Sequence, residues 1–408
     1  MRFPNRTELR EQVSIKGTEM KQKYKLETIT PVHIGSGETL NHIDGYYANR
    51  RWYHINLDKV LEHPATDINA LTSEMSQRDF RWSDYFSRHN MNGAELSTYS
   101  LLCAQSPETT DIREAIKSVG NRPYIPGSSI KGAIRTALLS DLINNAENEK
   151  LYNDSSKHLN REIDKGAPSK RRQENPAQQI EELAFGKDPN HDLLRALQVS
   201  DTEPLESEAL AIETAWTVTL NQNNQLEQKI EGNTEYKNFV EVLQGVQTLT
   251  FTLKIDELLF RDRERKKLKF SELQEKTLRE MADVCKFESK VLMQDEQYFF
   301  QEYSFTEIAN LYDKFINLNN SLTDGAFMLQ IGWGTGYLSN TVTGSFTEGE
   351  EAPIDVMKLR ERYRLGRSRS NQHDPYDPRE FPKTRRILYR GPDPKAPLGW
   401  VKISPLTD

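Results

Sequence analysis

The sequence predicts an α+β protein with antiparallel sheets. Short runs in which apolar and polar residues alternate are typical of half-buried strands, and both halves of the chain contain them. Helical segments lie between these runs, without the regular strand–helix alternation of a parallel βαβ array. At 408 residues the chain has room for two or three domains.

The first 260 residues contain most of the predicted strands. Residues 1–22 lack periodicity and are expected to be a leader, followed by an N-terminal domain over 23–260. Residues 58–118 are predicted to be mostly helical, and the polar segment 143–192 is predicted to be a helical or partly disordered insertion. The strands in this half are predicted at 24–33, 45–55, 196–200, 209–220 and 246–255.

A basic linker at 261–269 is predicted to separate this half from a C-terminal domain over 261–408. Helical periodicity predicts two helices, at 271–294 and 304–321. The remaining strands are predicted at 326–331, 385–388 and 399–404. Trp400 is the largest apolar side chain in the last strand, so we expect its ring to be buried.

The charge is unevenly distributed along the chain. The net charge is −7, but residues 358–408 contain 13 Lys and Arg against 6 Asp and Glu, so the first 357 residues carry −14. Such asymmetry indicates either one basic binding surface on an acidic body or a solvated basic face, and charge alone weighs the two equally.

Composition also excludes several classes of protein. Two cysteines cannot form a disulfide framework, and no apolar run is long enough to span a bilayer. We therefore expect a cytoplasmic protein with no membrane partner. The eight histidines form no HxxxH or HExxH pattern, so no metal site is predicted.

Three glycine-containing turns are the strongest functional signal. Each adjoins a regular element, and glycine allows the backbone to approach a ligand closely. The second turn, IPGSS, opens a helix whose N-terminus favours anions, with two cations on its face. Together they predict a phosphate-binding surface. The candidate residues are His33, Gly35, Ser36 and Gly37, then Ser128, Ser129, Lys131 and Arg135, then Gly332, Trp333, Gly334, Thr335 and Gly336.

Other residues extend this prediction. Trp333 could stack on RNA bases or could belong to the core. Lys383, Arg385 and Arg386 are expected to lie beside the third glycine turn and to continue it as one RNA-binding track.

Nucleotide-dependent enzymes do not fit the spacing. IPGSSIKG lacks the GxxxxGK[ST] pattern of a phosphate-binding loop, and GWGTGY lacks GxGxxG, so no cofactor is predicted. His33 could be a general acid or base for RNA cleavage, although packing or contact with a phosphate is the more ordinary role. Asp44 could hold a metal, although turn formation is the better explanation.

These segments together resemble the RAMP superfamily of CRISPR proteins. Within it, the chain is most similar to the family of fifth Csm subunits of type III-A effector complexes. IPGSSIKG is shared among many RAMP subunits, whereas GWGTGY with the C-terminal pattern favours this family. The segments are PVHIGSGE, YIPGSSIKGAIRTALL, LQVSDTEPL, LQIGWGTGY and FPKTRR…PLGWVKI.

The resemblance implies two ferredoxin-like (RRM-type) domains with helical insertions. It implies a non-catalytic subunit that binds the 3′ portion of the crRNA, caps one end of the Csm filament and supports crRNA maturation and antiviral defence. The partners would be the backbone RAMP subunits and the small helical subunits of the complex. By position, the glycine turns and the cations beside them become the RNA-facing residues.

Two alternatives remain open. The chain could be a RAMP endoribonuclease that acts on CRISPR RNA through His33 or through a metal at Asp44. It could also be an adaptor whose acidic N-terminal portion recruits the nucleases that trim crRNA, a role compatible with RNA binding.

Overall fold

The computed structural model describes residues 22–77, 79–107, 111–166, 177–347, 352–366 and 381–406. The expected leader therefore lies outside the described residues except for Gln22, as do 167–176 of the expected insertion. Within the described part, none of the helices is long and apolar enough to cross a membrane.

Strands and helices are both distributed over the described chain. The strands are β1 Gln22–Thr28, β2 Gly35–Leu40, β3 Gly45–Ala48, β4 Arg51–Ile55, β5 Ser97–Cys103, β6 Ile112–Ala115, β7 Lys117–Ser118, β8 Arg122–Pro123, β9 Leu197–Val199, β10 Leu210–Leu220, β11 Leu226–Gln228, β12 Ile230–Glu231, β13 Thr234–Glu235, β14 Lys237–Leu243, β15 Thr248–Ile255, β16 Phe327–Gln330, β17 Thr384–Arg390, β18 Asp393–Pro397 and β19 Trp400–Pro405. The helices are α1 Leu57–Glu62, α2 Ile68–Met75, α3 Trp82–Arg88, α4 Gly127–Asn144, α5 Glu149–Ile163, α6 Gln178–Phe185, α7 Asp262–Leu268, α8 Glu272–Arg279, α9 Met281–Glu302, α10 Thr306–Asn320, α11 Gly344–Thr347 and α12 Val356–Tyr363.

One sheet joins the two ends of the chain. It has five strands in the order β16-β19-β1-β15-β9, and every pairing in it is antiparallel. The last strand, β19, lies between β16 and the first strand, β1. Because β1 and β16 are both antiparallel to β19, they run in the same direction. The loops that follow β1 and β16 therefore leave the sheet at the same end.

The second sheet is larger and mixed. Its main path runs β2-β6-β14-β10-β5-β4-β3, and β17 pairs with β10 as well as with β18. The pairings of β10 with β5 and of β14 with β6 are parallel, so the expectation of purely antiparallel sheets is wrong here. The mixture of helices and sheets agrees with the predicted α+β class.

Several predicted elements differ from the structure. Residues 58–118 are helical only as far as α3; the rest forms β5, β6 and β7, whose apolar alternation is short and interrupted by polar residues. Sequence reasoning missed β2 and β14. The expected linker at 261–269 contains α7, and the described parts of the insertion form α5 and α6.

The C-terminal strand is deeply buried. Trp400 has no exposed surface, as expected, and its ring packs edge-on against Tyr312 and at an angle against Phe315 of α10. Its backbone carbonyl accepts hydrogen bonds from the N–H groups of Ile29 and Thr30 at 2.8 and 3.1 Å. The end of the chain is thereby fastened to the loop that follows β1.

Helix α4 begins where only glycine fits. A Cβ on Gly127 would lie 2.3 Å from the carbonyl oxygen of Val199, and the Gly127 N–H donates to the carboxylate of Asp201 at 2.8 Å. Ile130, Ile134 and Leu138 form the fully buried face of the helix, as their spacing predicts. The IPGSS turn is therefore locked to the segment that follows β9.

Two glycines of α4 give a matched pair of variants. Gly127→Ala is expected to destabilise the protein by about 1–3 kcal/mol, because the new methyl group meets backbone that cannot move aside easily. Gly132→Ala is expected to stabilise it by up to about 1 kcal/mol, because alanine is the better helix former and its Cβ would have no atom within 4 Å. Urea unfolding measures both changes, and equal effects would contradict this packing.

Candidate nucleic-acid interface

The first and third glycine turns meet at the end of the five-stranded sheet. The Trp333 N–H donates to the carbonyl oxygen of His33 at 2.9 Å. Gly332 adopts φ +85°, and a Cβ there would lie 2.3 Å from the same oxygen. Glycine is required at this position both by its conformation and by the close approach of the two loops.

His33 supports this junction from inside. Its side chain is buried, and its Nδ1 lies 2.6 Å from the carbonyl oxygen of Glu241. A carbonyl only accepts, so Nδ1 donates. Burial lowers the pKa of His33; the bond to Glu241 opposes this effect, and the positive charges of Arg113 and Lys117 reinforce it. The ring is therefore neutral at pH 7 and packs inside the protein, as the ordinary interpretation of this residue holds.

Glu241 connects the surrounding strands. Its carboxylate has no exposed surface and accepts from Lys117 Nζ at 2.6 Å, from the Ala115 N–H at 2.9 Å and from the Tyr99 hydroxyl at 3.0 Å. Sequence reasoning missed this residue. The available signal was a single carboxylate within the apolar strand FVEVL, because a buried charge requires partners.

Trp333 contacts two arginines that are distant in sequence. The guanidinium carbons of Arg113 and Arg386 lie 5.0 and 4.6 Å from the centre of its ring, and His33 contacts the ring edge-on at 5.8 Å. Both arginine side chains are exposed. Partial desolvation lowers the pKa of Arg386, and the positive charge of Arg113 adds to that effect. Arg113 was not among the predicted residues.

The rest of the third turn is held in a defined shape. Asn340 donates from Nδ2 to the carbonyl oxygen of Gly336 at 2.6 Å and to the Thr335 hydroxyl at 2.9 Å. A Cβ on Gly334 would lie 3.7 Å from Cδ of Arg386, whereas one on Gly336 would meet no atom within 4 Å. The turn thus has an open side, where a ligand could approach the backbone.

The first turn is partly strand. Gly35, Ser36 and Gly37 are exposed and begin β2, and the Ser36 hydroxyl donates to the Glu114 carboxylate at 3.0 Å. The expected loop is therefore an exposed strand edge next to the junction of the two glycine turns.

The second turn does not present its cations as predicted. Arg135 bonds Glu181 and Asp192, each at 2.8 Å, and Lys131 Nζ donates to the carbonyl oxygen of Leu197 at 2.8 Å. Burial lowers the pKa of Lys131. These two side chains tie α4 to the segments around α6 and β9, because carboxylates and carbonyls from distant sequence reach them. We therefore remove Lys131 and Arg135 from the proposed RNA contacts; Ser128 is exposed and Ser129 half-buried.

The basic residues of the C-terminal segment also lie in different environments. Arg386 reaches Trp333 as expected, and Lys383 is half-buried. Arg385 points to the opposite face of β17, where its Nε bonds both carboxylate oxygens of Glu296 at 2.8 Å and its guanidinium covers Phe299 at 3.9 Å. Its burial contradicts the expectation of a surface contact. Side chains alternate faces along a strand, so two successive arginines cannot both face RNA.

Asp44 has a local role. Its carboxylate accepts the Asn41 N–H at 2.7 Å, and its carbonyl accepts the Ile55 N–H at 2.9 Å. This is turn formation, the better of the two explanations for the residue. Within the described ranges, no group of three His, Cys, Asp or Glu side chains is arranged to hold a metal ion.

Known proteins share this arrangement of elements. The family model of the RAMP superfamily matches residues 25–339. The chain belongs to the RAMP superfamily. A protein of Methanocaldococcus jannaschii named "CRISPR system Cms protein Csm5" is 24% identical over 402 residues, covering 93% of this chain and 88% of that protein. A Streptococcus thermophilus protein of the same name is 26% identical over 219 residues, covering 49% of this chain and 57% of that protein.

Solved structures agree with this RAMP assignment. A chain of a Csm-crRNA-target RNA ternary complex of a type III-A CRISPR-Cas system has a TM-score of 0.67 at 21% identity, covering 95% of this chain and all of that one. The crystal structure of T. onnurineus Csm5 has a TM-score of 0.61 at 20% identity, covering 92% of this chain and 99% of that one. The predicted resemblance to RAMP proteins and to fifth Csm subunits is confirmed.

The contrast between neighbouring arginines gives a stability test. Arg385→Gln leaves the buried Glu296 carboxylate without its cation and is expected to cost about 3–5 kcal/mol of unfolding free energy. Arg386→Gln, on the exposed face, is expected to change it by less than about 0.5 kcal/mol. Denaturant unfolding measures both. If Arg385→Gln is neutral, or if Arg386→Gln costs as much, the ion pair is assigned incorrectly.

His33 gives a pH prediction. Its folded-state pKa lies below the ordinary value of 6.5, so between the two values the unfolded chain binds more protons than the folded chain. Stability from this group is therefore complete above pH 6.5 and decreases as the pH falls below it. His33→Asn keeps a donor for the Glu241 carbonyl but does not titrate. Thermal unfolding from pH 7.5 to 5.5 is expected to show a smaller loss of stability for the variant than for the parent; parallel profiles would contradict the assignment.

Proposed function

We propose that the chain is a non-catalytic, crRNA-binding structural subunit of a type III-A CRISPR (Csm) effector complex. The observation that carries the proposal is the junction of two glycine turns beside two exposed arginines, Arg113 and Arg386. In the described part of the chain, exposed backbone and cations without an assembled catalytic set favour binding of RNA phosphates over chemistry on them. The names of the relatives and the complex in which one structural neighbour lies support the same conclusion.

The finer parts of the proposal follow the resemblance. The subunit would cap one end of a cytoplasmic Csm filament beside the 3′ portion of the crRNA and would support crRNA maturation in antiviral defence. It would contact the backbone RAMP subunits and the small helical subunits, and its acidic surface could recruit trimming nucleases. We retain the division into two ferredoxin-like domains, 23–260 and 261–408, as part of the proposal. On that division, β19 would join the sheet that contains β1 of the other domain.

The endoribonuclease alternative has less support. Its two candidate groups are a buried neutral histidine, His33, and a carboxylate engaged in a turn, Asp44. A general acid or base must reach the RNA, and neither side chain is presented to a ligand in the described structure.

Co-purification tests the proposed function. The tagged full chain, expressed with the other Csm subunits and a CRISPR array, is expected to retain those subunits and crRNA. The same preparation, incubated with labelled repeat RNA with and without Mg²⁺, is expected to leave that RNA intact.

Two results would contradict the proposal. One is recovery of the chain without RNA and without Csm subunits. The other is cleavage that disappears in both His33→Asn and Asp44→Asn, which would favour the nuclease; cleavage that persists in both variants indicates a contaminating enzyme.

A further inference from the structure

Arg113 and Arg386 are arranged differently from three arginines that form ion pairs within the protein. Arg135, Arg279 and Arg385 each bond a carboxylate at 2.7–2.8 Å. Arg113 and Arg386 belong to strands β6 and β17 and flank one tryptophan, yet neither has an ion pair within the described part of the chain. Among the described residues, the only polar partner of either is Asn238, whose side-chain oxygen accepts from Arg113 Nε at 3.3 Å.

Two adjacent guanidinium groups without an anion repel each other. The lowered pKa of Arg386 has the proximity of Arg113 as one of its causes. In a chain with 61 acidic residues, carboxylates could readily have neutralised this pair. The exposed, uncompensated charge therefore indicates a place for an anion that comes from another molecule.

The surrounding structure fixes the two groups in position. Trp333 is held by its backbone bond to His33, which in turn is held by Glu241. Both guanidinium groups contact the Trp333 ring through cation–π interactions. Gly334 lies beside the side chain of Arg386 and adopts φ +87°, a conformation that favours glycine. Such preorganisation lowers the entropy cost of binding a ligand.

We propose that Arg113 and Arg386, held around Trp333, form a binding site for one phosphodiester of single-stranded RNA. The inference rests on the proposed function and specifies the contact at that surface. Guanidinium forks match the geometry of phosphate oxygens, and the open side of the adjoining glycine turn offers the backbone beside it. RNA is favoured over an acidic protein segment because the glycine turns adjoin the pair.

The role of Trp333 then differs from the one expected from the sequence. Two guanidinium groups and the His33 ring already occupy its surroundings, so Trp333 acts as the support on which the arginines are ordered and not as a platform for bases. Binding at this site should consequently depend on salt and be independent of base identity.

The experiment uses the purified full chain and labelled single-stranded oligo(A) and oligo(U), with fluorescence anisotropy at several salt concentrations. Arg113→Gln and Arg386→Gln are each expected to weaken RNA binding about tenfold. The double variant should reduce the slope of log affinity against log salt by roughly 0.7–1.4, corresponding to one or two lost cation–phosphate contacts. Both RNAs should show the same loss within about twofold.

A matched control lies on the same strand. Arg390→Gln removes an equal charge from the exposed end of β17 and is expected to change RNA affinity by less than about twofold. A further double variant, Arg113→Lys with Arg386→Lys, keeps both charges but loses the planar guanidinium groups that can bond two phosphate oxygens at once. This variant should keep most of the slope of log affinity against log salt but bind RNA more weakly than the parent.

The outcomes separate the two proposals. If the parent chain binds RNA and the Gln double variant binds it as tightly, or if the loss depends on the base, the phosphate site is wrong while the proposed function stands. If the double variant binds RNA as the parent does but no longer co-purifies with another Csm subunit from cells that express the complex, the pair binds protein carboxylates and the inference is overturned. A parent chain that binds no RNA contradicts the proposed function itself.

Discussion

The position of β19 between β1 and β16 is the constraint on which the proposed RNA surface depends. Main-chain hydrogen bonds on both sides of β19 hold the two other strands parallel to each other and end them at the same level: Thr28 faces Val401, and Gln330 faces Trp400. The turns that follow β1 and β16 therefore lie next to each other at this end of the sheet. The Gly399 N–H and carbonyl bind Pro31 and Ile331 at 2.9 and 2.8 Å, so the bend before β19 serves both loops directly.

A second layer of buried polar contacts refines this junction. Lys117 and Glu241 form a buried ion pair at 2.6 Å, and the carboxylate of Glu241 accepts hydrogen bonds from three different residues. A buried network in which the polar groups are hydrogen-bonded specifies one relative position of its strands, whereas apolar contacts allow the strands to shift against each other. Trp333 depends on it through His33, and Arg113 and Arg386 depend on Trp333. The exposed cations are thus ordered by a chain of contacts that begins inside the protein.

The sequence predicted all three glycine turns from local signals, namely glycine next to a strand or helix pattern, and the structure brings the first and third of them together. It also predicted the burial of Trp400 and the apolar face of α4. It did not reveal that Lys131 and Arg135 are used internally, since their carboxylate and carbonyl partners lie 46–66 residues away. Arg113 was not predicted for the same reason, because no residue near it in sequence indicates that Trp333 and Arg386 lie beside it in the fold.

The position of β19 between β1 and β16 has a consequence for the order in which the two glycine turns are brought together. Residues 400–405 are synthesised after every other described strand, yet they form the strand that joins β16 to β1. Until they insert, β1 and β16 have no common neighbour, and their loops are independent segments of a nascent chain. On the proposed function, the two loops would therefore become able to hold RNA together only after residues 400–405 have been synthesised and have inserted between β1 and β16.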